Sequence, residues 1–115
     1  MSVETDLQWA NWTIQTFEER GLADLVDLRL TEVVGAAYAH IIHSSGRLFD
    51  IITVDGGYRL ECLHAASHAV KNDGVIVIDN ADRVDLTSFL ATWSPRLMES
   101  FDSGINRTSF YRGIP

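Results

Sequence analysis

Three side chains with oxygen chemistry stand at the ends of two apolar runs. Asp55 follows Phe49-Asp50-Ile51-Ile52-Thr53-Val54, and Asp79-Asn80 follows Gly74-Val75-Ile76-Val77-Ile78. A carboxylate can take a proton, accept hydrogen bonds or share a cation, and a carboxamide can accept and donate at once. Both runs are rich in β-branched residues, which predicts strands buried on both faces. In open parallel sheets ligands sit beyond the carboxyl ends of the strands. A site in this chain should therefore include Asp55, Asp79 and Asn80.

The elements that position them follow from spacing. Leu60, Leu63, His64, Ser67 and Val70 recur at helical intervals between the runs, and Asn72-Asp73-Gly74 is a turn signal. Strand, helix, strand within about 30 residues is a right-handed βαβ unit. Upstream, Ser2-Val3-Glu4 precedes a helical pattern over 5–20, with Leu7, Ala10, Ile14 and Phe17 on one face and Trp9 and Trp12 beside it. That face is expected to cover a sheet, and Gly21 to cap the helix. Residues 25–30 read as a strand and 33–43 as a small-residue helix. Downstream, Asp82 is placed to cap a helix through Val84, Phe89 and Leu90 that Pro95 ends. Residues 97–102 and 108–112 then form an antiparallel hairpin.

FDIITVDGGY, a helix and KNDGVIVIDNADR together resemble the second half of a class I S-adenosylmethionine-dependent methyltransferase. That family shows FDLIxxDG, a helix, then LKPGG and a strand ending in DN or DD; here Asn72-Asp73 stands for the usual Pro-Gly. SVETD, the first helix and GLADLVDLRLTEV are similar to the same family's second strand, helix and third strand, and TSFYRG to its end. The resemblance implies an α/β fold, a Rossmann-like, mostly parallel sheet with helices on both faces and a C-terminal antiparallel hairpin, as one domain over 1–115. It implies S-adenosylmethionine as cofactor, Glu4 on the ribose hydroxyls, Glu32 near the adenine amino group, and Asp55 and Asp79 facing the reaction centre. In the catechol-type O-methylating branch a divalent ion is held at positions matching Asp55, Asp79 and Asn80, and oxygen ligands suit Mg²⁺. That branch has a lysine three residues after the first Asp, where this chain has Tyr58 followed by Arg59. Asp55-Gly56-Gly57-Tyr58 also stands where amino-methyltransferases of DNA carry DPPY, but glycines loosen that turn where prolines stiffen it.

The family's first strand and its G-x-G-x-G loop have no counterpart among the eight glycines. The chain reads as a truncated form of the fold that begins inside the second strand. Loss of a central strand would leave the third and fourth strands of the fold with open ladder edges. Either the surviving strands re-pair or a homo-oligomer covers them. The function expected is methyl transfer, including O-methylation, to a small molecule. The alternatives are a non-catalytic module of this fold that self-associates or binds a partner, and an unrelated doubly wound domain such as an aspartyl-phosphate receiver. Such a receiver needs a lysine after its last strand, and the only lysine is Lys71.

Composition narrows the partners. Sixteen acidic against nine basic residues give a net charge of −7, which disfavours a nucleic-acid surface. Cys62 is the only cysteine, so no internal disulfide forms, and a free thiol suits the cytoplasm. MSVETDLQW is not a signal peptide, and no apolar run approaches the roughly 20 residues that span a bilayer. His40 and His43, and His64 and His68, are spaced as helix neighbours without the third ligand that zinc requires.

Overall fold

The computed structural model describes residues 1–113. Strand β1 (Ser2–Glu4) leads into helix α1 (Leu7–Glu19), a 3-10 turn and strand β2 (Leu28–Leu30), which pairs parallel with β1. Helix α2 (Gly35–Ala39) continues as a 3-10 turn, His40–Ser45, where a longer helix was expected. Strand β3 (Phe49–Val54), helix α3 (Arg59–Ser67) and strand β4 (Val70–Ile78) form the βαβ unit, with β3 and β4 parallel. A 3-10 turn and helix α4 (Thr87–Thr92) precede strands β5 (Leu97–Asp102) and β6 (Arg107–Arg112). The second sheet has the order β3-β4-β6-β5, and its last two pairings are antiparallel.

The architecture is α/β with the expected antiparallel hairpin, but the strands lie in two sheets. The parallel part is limited to β1 with β2 and β3 with β4. No ladder joins β1 to β3, so the surviving strands do not re-pair. The edges that border the gap are those of β1 and β3, which stand for the second and fourth strands of the methyltransferase pattern rather than its third and fourth.

The core lies on one face of the larger sheet. Ile52, Val54, Ile76 and Ile78 pack against Leu63 and Ala66 of α3 and against Leu86, Leu90 and Trp93 around α4. The rings of His64 and Phe89 lie 4.4 Å apart, which places α3 and α4 side by side on this face. Strand β3 therefore alternates, with Ile52 buried and Ile51 65% exposed. This corrects the expectation of a strand buried on both faces: period-2 side chains sample both faces, and only one carries helices. Helix α1 is likewise less buried than its pattern suggests, since Ala10 is buried while Leu7, Trp9, Trp12 and Ile14 are exposed.

Local chemistry sets the boundaries. Asp6 caps α1 by accepting from the Trp9 amide at 3.1 Å. Gly21 has φ 68°, and the amides of Gly21 and Leu22 return to the carbonyls of Glu18 and Phe17, a left-handed helix stop of the expected kind. Val70 begins β4 instead of ending α3, and Asn72-Asp73-Gly74 loops out within β4 instead of preceding it. Phe49 pairs with Val70 and Ile51 with Val75, so the loop is a break in the ladder. Lys71 and Asp50 close over it with an ion pair at 2.7 Å. Asp82 caps no helix; its carboxylate accepts from the Arg107 amide and pins the start of β6.

Two glycines are fixed by close approach. A Cβ on Gly74 would lie 2.7 Å from the Val70 side chain and 2.8 Å from the Asp50 carbonyl, and one on Gly113 would strike the Lys71 carbonyl. Gly74→Ala and Gly113→Ala are each expected to lower the unfolding free energy by about 1–3 kcal/mol. Gly57→Ala, whose added carbon meets nothing within 4 Å, should stay within roughly 0.5 kcal/mol of the parent. Urea titration followed by tryptophan fluorescence would measure all three.

Candidate functional site

The register of β3 and β4 pairs Val54 with Ile78, which sets Asp55 and Asp79 abreast at the carboxyl ends of adjacent parallel strands. So placed, the two carboxyls shift each other's ionisation in opposite directions. Asp55 is held above the ordinary carboxylate range, first by the burial it has and then by the Asp79 hydrogen bond and charge. Asp79 is held below that range, first by the Thr108 hydroxyl, which donates to its Oδ1 at 3.0 Å, and then by Asp55. Asn106 donates to the same oxygen at 3.2 Å. As pH rises, Asp79 loses its proton before Asp55 does.

Arg59, the first residue of α3, lies between the two strand ends. Its Nη2 is 3.1 Å from Asn80 Oδ1 and 3.4 Å from Asp55 Oδ1, while its Nε donates to the Asp79 carbonyl at 3.1 Å. Its side chain is only 11% exposed. Tyr58 and Asn80 both have φ 54° and are the non-glycine residues in the left-handed region among those described. Tyr58 precedes Arg59 and Asn80 contacts its guanidinium, so both left-handed residues lie at this corner.

The expected metal set can be tested against this geometry. Mg²⁺ requires near-octahedral oxygen ligands at about 2.0–2.1 Å. Asp55 and Asn80 direct the oxygens such an ion would need toward one guanidinium nitrogen, and Asp79 Oδ1 is taken by Thr108 and Asn106. As arranged, the three residues do not fit a divalent ion. Among the described residues no group of three His, Cys, Asp or Glu side chains is placed to hold one.

Beside this corner, between the two sheets, is a cavity of about 570 Å³. Its walls include Val3, Glu4, Tyr38 and the run from Ile51 to Tyr58. Glu4 Oε1 accepts from the backbone amides of Thr5 and Asp6, both at 3.0 Å, which fixes its carboxylate at the end of β1. Glu4 and Asp55 thus line one cavity, whereas Glu32 is exposed and outside it. The polar backbone groups of the gap also face this space. Ser2 and Glu4 bond to the β2 side, so those of Val3 point the other way, and its carbonyl accepts from Tyr38 Oη at 3.2 Å. Val54 bonds toward β4, so alternation turns the groups of Ile51 and Thr53 into the gap.

Arg59, Asn106 and Thr108 complete the corner. Arg59 could be found in sequence as the first base after the strand-end acid. Asn106 and Thr108 carry no local signal, because the hairpin brings them to Asp79 over more than 25 residues.

No family model and no curated protein matches the sequence. Solved structures do match. The chain is similar to the O-methyltransferase TomG from Streptomyces achromogenes, involved in tomaymycin synthesis and solved in complex with SAM, with TM-score 0.76 and 15% identity over 98% of this chain and 60% of that one. It is similar to a methyltransferase from Geobacter sulfurreducens, with TM-score 0.68 and 17% identity over 96% of this chain and 56% of that one. It is also similar to the O-methyltransferase from Bacillus cereus in complex with SAH, with TM-score 0.67 and 16% identity over 94% and 58%. The likeness shows the fold: nearly the whole chain follows the methyltransferase fold, and it spans about 60% of the length of these structures.

Thr108→Val removes the largest cause of the low Asp79 pKa. A depressed carboxylate contributes stability above its unfolded pKa and loses it as pH falls through its folded pKa. The variant should therefore raise the Asp79 midpoint in a carboxyl-carbon NMR titration. Its stability deficit at neutral pH should shrink in acid, and an unmoved Asp79 midpoint would refute the assignment.

Proposed function

We propose that this chain binds S-adenosylmethionine and transfers its methyl group to an oxygen of a small molecule. The observation that carries the reading is that Glu4 and Asp55, from the ends of β1 and β3, line the same cavity. Glu4 would receive the ribose hydroxyls, a role supported by the two backbone amides that orient its carboxylate. Gly56 and Gly57 lend that wall little side-chain bulk, and Tyr58 flanks it. Glu32 is assigned to the adenine end only through the family pattern. The bound cofactor would supply an electrophilic methyl on a sulfonium sulfur.

The chain's own contribution is position and a base. With the cofactor held there, the acceptor oxygen would displace the sulfonium sulfur from its methyl group, the C–O bond forming as the C–S bond breaks and the electron pair staying on sulfur. The hydroxyl proton goes to Asp55. A carboxylate raised above its usual pKa holds that proton better, which is the direction a general base requires. Asp79, kept ionised by Thr108, holds Asp55 in that state.

A second reading is favoured by the gap between β1 and β3. Without the glycine loop the fold would serve as a binding module, its free strand edges taking up another chain or a second copy. Sedimentation equilibrium separates the versions: a monomer at micromolar concentration would rule out self-association through those edges.

Calorimetric titration with S-adenosylhomocysteine tests the leading reading. One site per chain is expected, and Glu4→Ala should weaken it roughly 10–100-fold, the range for loss of a charge-assisted hydrogen bond. No heat at millimolar ligand would leave the binding-module reading in its place.

A further inference from the structure

The misfit between Arg59 and a divalent ion carries its own conclusion. We propose that Arg59 is the resident cation of this site, a guanidinium fixed where the metal of an O-methylating relative would be held, and that the protein works without a divalent ion. The proposal deepens the methyl-transfer reading and rests on it for the chemistry, but the identity of the cation can be measured independently.

Three observations support it. The first is occupancy: one nitrogen of Arg59 approaches both Asn80 Oδ1 and Asp55 Oδ1, two of the three oxygens a metal would require. The second is fixation: the same guanidinium bonds the Asp79 carbonyl and is nearly buried, so it is held from both strand ends. The planar fork of arginine makes these contacts together, which a lysine ammonium cannot do at one geometry. The third is construction. Tyr58, which precedes Arg59, and Asn80, which its guanidinium contacts, both adopt the left-handed conformation.

The consequence for the reaction is a change in what Asp55 can do. A carboxylate bound to a divalent ion gives its lone pairs to the metal, and the ion activates the acceptor oxygen. A carboxylate beside a guanidinium at 3.4 Å keeps lone pairs free and remains a base. Arg59 is then a positioning residue, acting through Asp55 and Asn80.

Electron paramagnetic resonance with Mn²⁺ as probe decides the matter on the unliganded protein. The parent should leave the free Mn²⁺ signal unchanged at millimolar metal. Arg59→Ala should bind Mn²⁺ at least tenfold more tightly than the parent, and adding Asp55→Asn should abolish the gain. Arg59→Gln, which keeps a donor for the Asp79 carbonyl, serves the same comparison if the alanine variant does not fold. Mn²⁺ binding by the parent that Asp55→Asn removes would overturn the proposal, and so would Arg59 variants that bind no better than the parent. Failure of the S-adenosylhomocysteine titration would refute methyl transfer while leaving the Mn²⁺ result standing.

Discussion

The parallel ladder between β3 and β4 is the constraint on which the rest depends. Its register places Val54 against Ile78, and with that pairing Asp55 and Asp79 have to meet. Two carboxylates brought together cannot both ionise freely, so the surrounding residues are arranged to settle which one does. Thr108 and Asn106 hold Asp79 charged, and Arg59 offsets part of the remaining charge. The hydrophobic side of the same ladder, Ile52 and Val54 with Ile76 and Ile78, forms the core under α3 and α4. One register thus fixes both the packing and the polar corner.

The βαβ unit was legible because its signals are local. β-Branched runs, a helical interval and a terminal acid need only a window of a few residues to be read, and the same holds for the Gly21 stop and the 97–112 hairpin. What could not be read was set by missing cover. The apolar face of α1 has a good helical period, yet Leu7 and Ile14 on it, and Trp9 and Trp12 beside it, are exposed among the described residues. Periodicity states which side chains want burial, not whether anything buries them. The Asp82 side chain is a similar case: it has the residue type of a helix cap, and the backbone of β6 claims it first.

The polar corner was half legible. Asp55, Asp79 and Asn80 announce themselves as strand-end residues, and the structure does bring them together. Their companions come from two other stretches of chain, and no spacing rule connects residue 59 or residue 108 to residue 79. The metal expectation came from three residue types in a family pattern, and a fourth residue changes its meaning. The family pattern has a lysine one position earlier; at position 59 the side chain starts a helix and points back across both strand ends.

Tyr38 has a consequence beyond the cavity it lines. Residues 1–30 form a small body of two short strands and one helix. Among the described residues its side-chain hydrogen bonds to the rest are the Tyr38 hydroxyl on Val3 and the Arg29 guanidinium on Ser44. Such a body has its own opening equilibrium, with a free energy well below that of the β3-β4 core. Amides of β1 and β2 should then exchange with solvent in a separate, faster class than those of β4, with Tyr38 one of the two ties that set the difference. Ser2, Val3, Glu4 and Tyr38 line the cavity together with Asp55, so a ligand held there should slow exchange at Ser2–Glu4 as well as at the strand end that carries the chemistry.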